Sequence, residues 1–89
     1  MAYMMGRATV EDYNTFRKAF DGAEEMRNAA GVKSSSVYQS VDDPNEVIIE
    51  IEFPTADAAK AFMSSPGLRE AQERAGAIGG VRMLVVNKV

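Results

Sequence analysis

The 89-residue chain contains no histidine, no cysteine and no tryptophan. Without cysteine there is no disulfide and no thiolate nucleophile, and without histidine there is no imidazole base. Ordinary zinc, copper or haem ligation is excluded with them. Positive charge is also scarce: 10 basic against 13 acidic side chains leave a net charge of −3 and a pI near 4.9. That is the wrong sign for a surface that neutralises phosphates, so no nucleic-acid partner is expected. No apolar run approaches the ~18 residues that a membrane span needs. The stretch Met1-Ala2-Tyr3-Met4-Met5-Gly6-Arg7 lacks a basic region followed by an apolar one, so no secretory signal is expected and the cytoplasm is the default location.

What is present is the composition of a globular chain, with 46% hydrophobic and 26% charged residues. Surface scaling gives roughly 14,000 Å² exposed when unfolded and about 5,100 Å² when folded, so about 64% is buried. One domain spanning residues 1–89 accounts for this length.

Residues Ala2 to Ala8 read as a first strand, and Thr9 with Asp12 three positions later resembles a capping box opening a helix. From Val10 the apolar positions Tyr13, Phe16, Phe20, Ala23, Met26 and Ala30 recur every three or four residues, which predicts a five-turn helix closed by Gly31. Gly22 lies inside that pattern at a cost of about 1 kcal/mol against alanine. Val32 to Ser40 and Glu46 to Phe53 read as two strands joined at Asp43-Pro44-Asn45-Glu46, a hairpin connection with an Asx residue and proline in its first two positions. Thr55 caps a short helix that Ser64-Ser65-Pro66 breaks. Ser65 caps the next one, with Pro66 at its first position and Gly76 past its end. Gly79-Gly80 reads as a turn, and Val81 to Val89 as the last strand. The order is α+β: a ferredoxin-like βαββαβ unit with a four-stranded antiparallel sheet and a second helix broken at Ser64-Pro66.

In such a unit the helices cover one face of the sheet, and the other face should be polar. The last strand is apolar on both sides, with Leu84 and Val86 pointing opposite to Met83 and Val85, and Met4 backs onto Met5 in the first strand. A second copy packed sheet against sheet is the simplest cover, giving a homodimeric α/β barrel.

Several stretches resemble a known family: Thr9-Val10-Glu11-Asp12-Tyr13 with Phe16-Arg17, Met26-Arg27 with Ala29 and Gly31, and Asp42-Asp43-Pro44-Asn45-Glu46-Val47 leading to Glu52-Phe53. Ala58-Ala59 with Ala61-Phe62, Ser65-Pro66 with Leu68-Arg69, and Ala75-Gly76 extend the likeness over almost the whole chain. The chain is similar to the dimeric α/β-barrel proteins related to the antibiotic biosynthesis monooxygenases, including cyclase-like members. The resemblance implies two ferredoxin-like protomers joining their sheets, each with a pocket between sheet and helices. It also implies a range of chemistries, from cofactor-independent oxygenation and cyclisation of polyketides to haem degradation, lactone isomerisation and members of no known role. The haem-degrading and plant-type cyclase branches rely on histidine, or histidine with tryptophan, and this chain has neither.

Few residues offer chemistry. Glu50 and Glu52 project from the same side of their strand, opposite Val47, Ile49 and Ile51. Such a pair either raises one pKa to make a general base or meets cations such as Arg7, Lys33 or Arg82. Tyr13, Phe16, Phe20 and Phe62 can line an apolar ligand cavity, although helical spacing makes Phe16 and Phe20 core residues first. Tyr13 is the stronger ligand-binding candidate because its hydroxyl needs a partner. Tyr3 and Tyr38 can supply a phenolic donor, and Arg7 can hold a carboxylate or enolate or simply pair across the strand face. Asp42-Asp43-Pro44-Asn45-Glu46 lacks the spaced ligands and glycine of a calcium loop, so no metal is expected. Ser34-Ser35-Ser36 has no histidine base, the glycines near residue 79 match no phosphate-binding fingerprint, and no RNA-recognition motif is present.

The resulting expectation is a protein that binds a small apolar or aromatic organic molecule between sheet and helices, without metal or organic cofactor. The alternative is a cofactor-independent monooxygenase or polyketide cyclase, with Tyr13, Arg7 and Glu52 as catalytic candidates and Tyr13, Phe16 and Phe62 lining the ligand site.

Overall fold

The computed structural model describes residues 2–89. The elements are β1 (Ala2–Val10), α1 (Tyr13–Gly22), α2 (Glu24–Ala29), β2 (Ser34–Gln39), β3 (Glu46–Phe53), α3 (Ala56–Met63), α4 (Pro66–Arg74) and β4 (Ala77–Asn87). The four strands form one antiparallel sheet in the order β2-β3-β1-β4, the ferredoxin-like topology.

Local chemistry explains most element ends. The Thr55 and Ser65 hydroxyls accept from the backbone N–H of Ala58 and Leu68, at 3.1 and 3.3 Å, and Pro66 occupies the first turn of α4, where its missing N–H costs nothing. Gly31 and Gly76 close α2 and α4 at φ of +82° and +72°, a conformation that L side chains resist. The β2–β3 connection is an Asx turn, in which Asp43 Oδ1 accepts from Asn45 N–H at 2.9 Å and the Asp43 carbonyl from Glu46 N–H at 3.1 Å.

Three expectations need correction. The first strand runs on to Val10, because Val10 pairs with Ala77 and donates its N–H to the Asn45 carbonyl at 2.8 Å. The helix cap is therefore Asp12, which accepts from both Thr15 N–H and Thr15 Oγ1 at 3.1 Å, and not Thr9. Second, the five-turn helix is two helices, interrupted at Ala23, whose φ and ψ are −93° and 10°. The interruption follows Gly22, the weakest helix former in the run. Third, β4 starts at Ala77 and includes Gly79-Gly80, which is no turn. The β1–β4 register shifts there: β4 has three residues between Ile78 and Arg82 where β1 has one between Arg7 and Thr9.

The helix-facing side of the sheet holds two buried clusters. Met4, Ile51, Phe53, Ala59, Phe62 and Leu68 form one, centred on Phe53 and Phe62 with ring centroids 5.4 Å apart. Ala8, Val10, Phe16, Val47 and Ala75 form the other. The opposite side carries Tyr3, Met5, Ile48, Leu84 and Val86 in cross-strand register with Arg7, Arg82, Glu50 and Glu52. Leu84 there is 68% exposed.

Candidate functional site

Between the two buried clusters lies a cavity of about 70 Å³. Its existence follows from small side chains. Gly6 sits on the helix-facing side of β1, flanked by Met4 and Ala8, and Ala19, Ala23, Ala71 and Ala75 face it from the helices. A Cβ placed on Gly6 would meet Met83, Val81 and the Arg82 carbonyl at 3.5, 3.7 and 3.8 Å, ordinary contact distances, so a side chain can start there without a clash at its first carbon. Phe16, Phe20, Met26, Phe62 and Met83 complete an apolar wall.

Two polar side chains interrupt that wall, Arg27 and Gln72. Arg27 is only 7% exposed, the one buried charged side chain among the described residues. Its guanidinium carbon stands 3.8 Å from the centroid of the Phe20 ring, and its Nη1 donates to the Phe20 carbonyl at 2.6 Å. The helix interruption enables this bond. In an unbroken helix the Phe20 carbonyl would be engaged by the N–H of Glu24, whereas here it shares the Ala23 N–H, at 3.2 Å, with the Ala19 carbonyl. No ion pair among the described residues includes Arg27. Burial lowers its pKa, opposed by Glu24 and Asp21 and reinforced by Arg17, yet an arginine remains charged at any physiological pH. Gln72 has little to satisfy it, since its Nε2 donates only to the Met83 sulfur at 3.5 Å.

Arg27 and Phe20 also line a second, polar groove of about 280 Å³ on the outside of the same wall, with Arg17, Asp21, Glu24 and Lys33 around it. The stacked pair thus stands between apolar cavity and polar groove. Arg17 lies 5.7 Å from the Phe20 centroid and pairs with Asp21 at 3.2 Å.

The residues singled out by sequence fall in different places. Phe16 and Phe62 line the cavity. Tyr13, expected beside them, is not among the lining residues. It packs on the rim of the Val10–Val47 cluster, its ring 6.1 Å from Phe16 and its N–H bonded to Asn45 Oδ1 at 3.1 Å. Arg7 and Glu52 lie on the opposite side of the sheet, away from the cavity. Arg7 pairs with Glu46, and Glu52 accepts from Ser34 Oγ at 3.0 Å. Sequence patterning misses Arg27 and Gln72 as site residues because both look like the exposed positions of amphipathic helices. The signals at hand are Gly22, five residues before Arg27, and the place of Arg27 in a family-like stretch, and neither marks it as buried.

Among the described residues no helix is long and apolar enough to cross a membrane, and no three histidine, cysteine or acidic side chains cluster as a metal site.

Solved structures share this architecture along their whole length. A Bordetella bronchiseptica chain bearing the antibiotic biosynthesis monooxygenase name superposes with a TM-score of 0.85 at 15% identity, covering 99% of this chain and 96% of that one. SnoaB, a cofactor-independent oxygenase from Streptomyces nogalater, gives 0.81 at 14% identity over 99% and 92%. Rv0793 from Mycobacterium tuberculosis gives 0.74 at 18% identity over 99% and 94%. At such identities the likeness establishes the fold. Comparison with curated protein sequences gave no match. The family model for antibiotic biosynthesis monooxygenases matches residues 2–74, most of the chain, and the protein belongs to that family.

Proposed function

We propose that the protein is a homodimer of single-domain protomers, each binding a small apolar or aromatic organic molecule in the cavity between sheet and helices. The observation that carries the binding reading is the cavity itself, an apolar chamber with two polar side chains in its wall, which is the usual make-up of a small-molecule site. Its size limits the ligand. About 70 Å³ is roughly half of the ~150 Å³ cavity known to hold benzene. A short alkyl chain therefore fits as the walls stand, and a ring enters once Phe20, Met26 or Met83 turns aside.

Two observations support the dimer. The open sheet face exposes Met5, Ile48, Ile78 and Leu84. The single chain also presents 5707 Å² to solvent, about 600 Å² more than the roughly 5,100 Å² scaling value for its mass. That excess approaches the ~800 Å² that each partner buries in a standard interface.

The second reading is a cofactor-independent monooxygenase, favoured by the family and by the oxygenase SnoaB among the structural relatives. In this cavity the group able to stabilise an enolate or phenolate is Arg27, whereas Tyr13, Arg7 and Glu52 would need a different site. The test is a Gly6→Val variant, which fills the chamber from the strand side. Binding of small aromatic or alkyl probes, followed by calorimetry, should disappear while the circular dichroism spectrum is kept. Unchanged binding would place the site elsewhere. Oxygen uptake with mono- and bicyclic phenols, present in the parent and lost in Gly6→Val, would select the enzymatic reading.

A further inference from the structure

We infer that the ligand of this cavity is a small organic monoacid, its apolar body inside the chamber and its carboxylate on Arg27; this rests on the cavity being the binding site. Arg27 is more than nine-tenths buried, carries a full positive charge, and has a single hydrogen-bond acceptor and no carboxylate partner among the described residues. A guanidinium has five donors, and burying a charge without a counter-ion is costly. None of its nitrogens is sealed away without a partner. The free donors therefore reach accessible space, chiefly the polar groove at the mouth of the chamber, since the chamber wall itself is almost wholly apolar.

Charge fixes the valence of the ligand. Arg17, Arg27 and Lys33 around the groove face Asp21 and Glu24, leaving one positive charge over. A monoanion neutralises the group, whereas a dianionic phosphate would overload it and meet the two carboxylates. The planar fork of arginine matches a carboxylate in two-point contact. Lying between chamber and groove, Arg27 can hold a headgroup at the mouth while the apolar tail points inward. Gln72, bonded only to a thioether, is a second donor to any polar atom on that tail.

The experiment compares hexanoate with hexanamide, nearly equal in size and differing in charge, by NMR titration of the full chain with the Arg27 Nε–H resonance as a local reporter. Hexanoate should bind at least tenfold more tightly, shift that resonance, and lose its advantage in Arg27→Met. Arg27→Lys should keep part of it. Equal binding of acid and amide overturns the inference while leaving the apolar site intact. An advantage that survives Arg27→Met, or hexanoate binding that survives Gly6→Val, also overturns it, since the anion would then sit elsewhere. If neither probe binds at millimolar concentration, the cavity reading and the inference fail together. The acid-against-amide comparison needs only the parent protein, so it decides the question even where a variant folds poorly.

Discussion

The two faces of the sheet use the same strands for opposite ends. On the helix side, β1 and β3 present Met4, Val47, Ile51 and Phe53, all nearly inaccessible and closed over by α3, α4 and α1. On the other side the same strands, with β4, mix Met5, Ile48 and Leu84 with Arg7 and Glu50, and nothing in the single chain covers them. Alternation along a strand normally separates apolar from polar residues. Here both faces are partly apolar, and the difference lies in where charge is allowed. The lesson is that one face is finished within the protomer, whereas the other stays open in the single chain, and the proposed dimer would cover it.

Variants on each face sharpen that contrast. The largest effect belongs to the closed face: Phe53→Ala removes a fully buried ring packed on Phe62 and should lower unfolding free energy by about 3–5 kcal/mol, measured by urea denaturation. A loss below about 1 kcal/mol would mean that the cluster collapses freely around the gap. Next comes Leu84→Glu on the open face. It should leave the protomer folded but halve the mass found by sedimentation equilibrium, and a variant that still sediments as two chains would move the interface off this face. The smallest is Arg7→Met, which breaks the pair with Glu46. For a free protomer the change should stay under about 1 kcal/mol. A markedly larger loss above the dimerisation concentration than below it would show that assembly buries the pair.

Much of the fold was legible because it is written in local chemistry. Thr55, Ser65 with Pro66, Gly31, Gly76 and the Asp43–Glu46 turn each satisfy a backbone need within a few residues, so sequence spacing suffices to place them. The strand end at Val10 was not legible, since it depends on Ala77 and Asn45, residues distant in sequence. Thr9 and Asp12 mimic a capping box only when that pairing is ignored. The site was harder. Phe16 and Phe62 follow from helical period, but Arg27 is buried by an interruption at Ala23 that turns the next helix, and a charged residue inside a periodic pattern looks solvent-facing. Tyr13 shows the reverse error, lying on the apolar stripe yet beyond the end of the chamber.

The register shift in β4 has a further consequence. The surplus is two residues, an even number, so the inward and outward sense of the strand is the same on both sides of it. Ala77 and Val81 consequently both face the chamber, while Ile78 and Leu84 are both exposed. The edge strand can thus vary in length in steps of two without moving a side chain across the sheet. Removing Gly79 and Gly80 together would bring β4 flush with β1 and keep both faces. Removing one alone would turn Ala77 outward and drive Ile78 into the cavity.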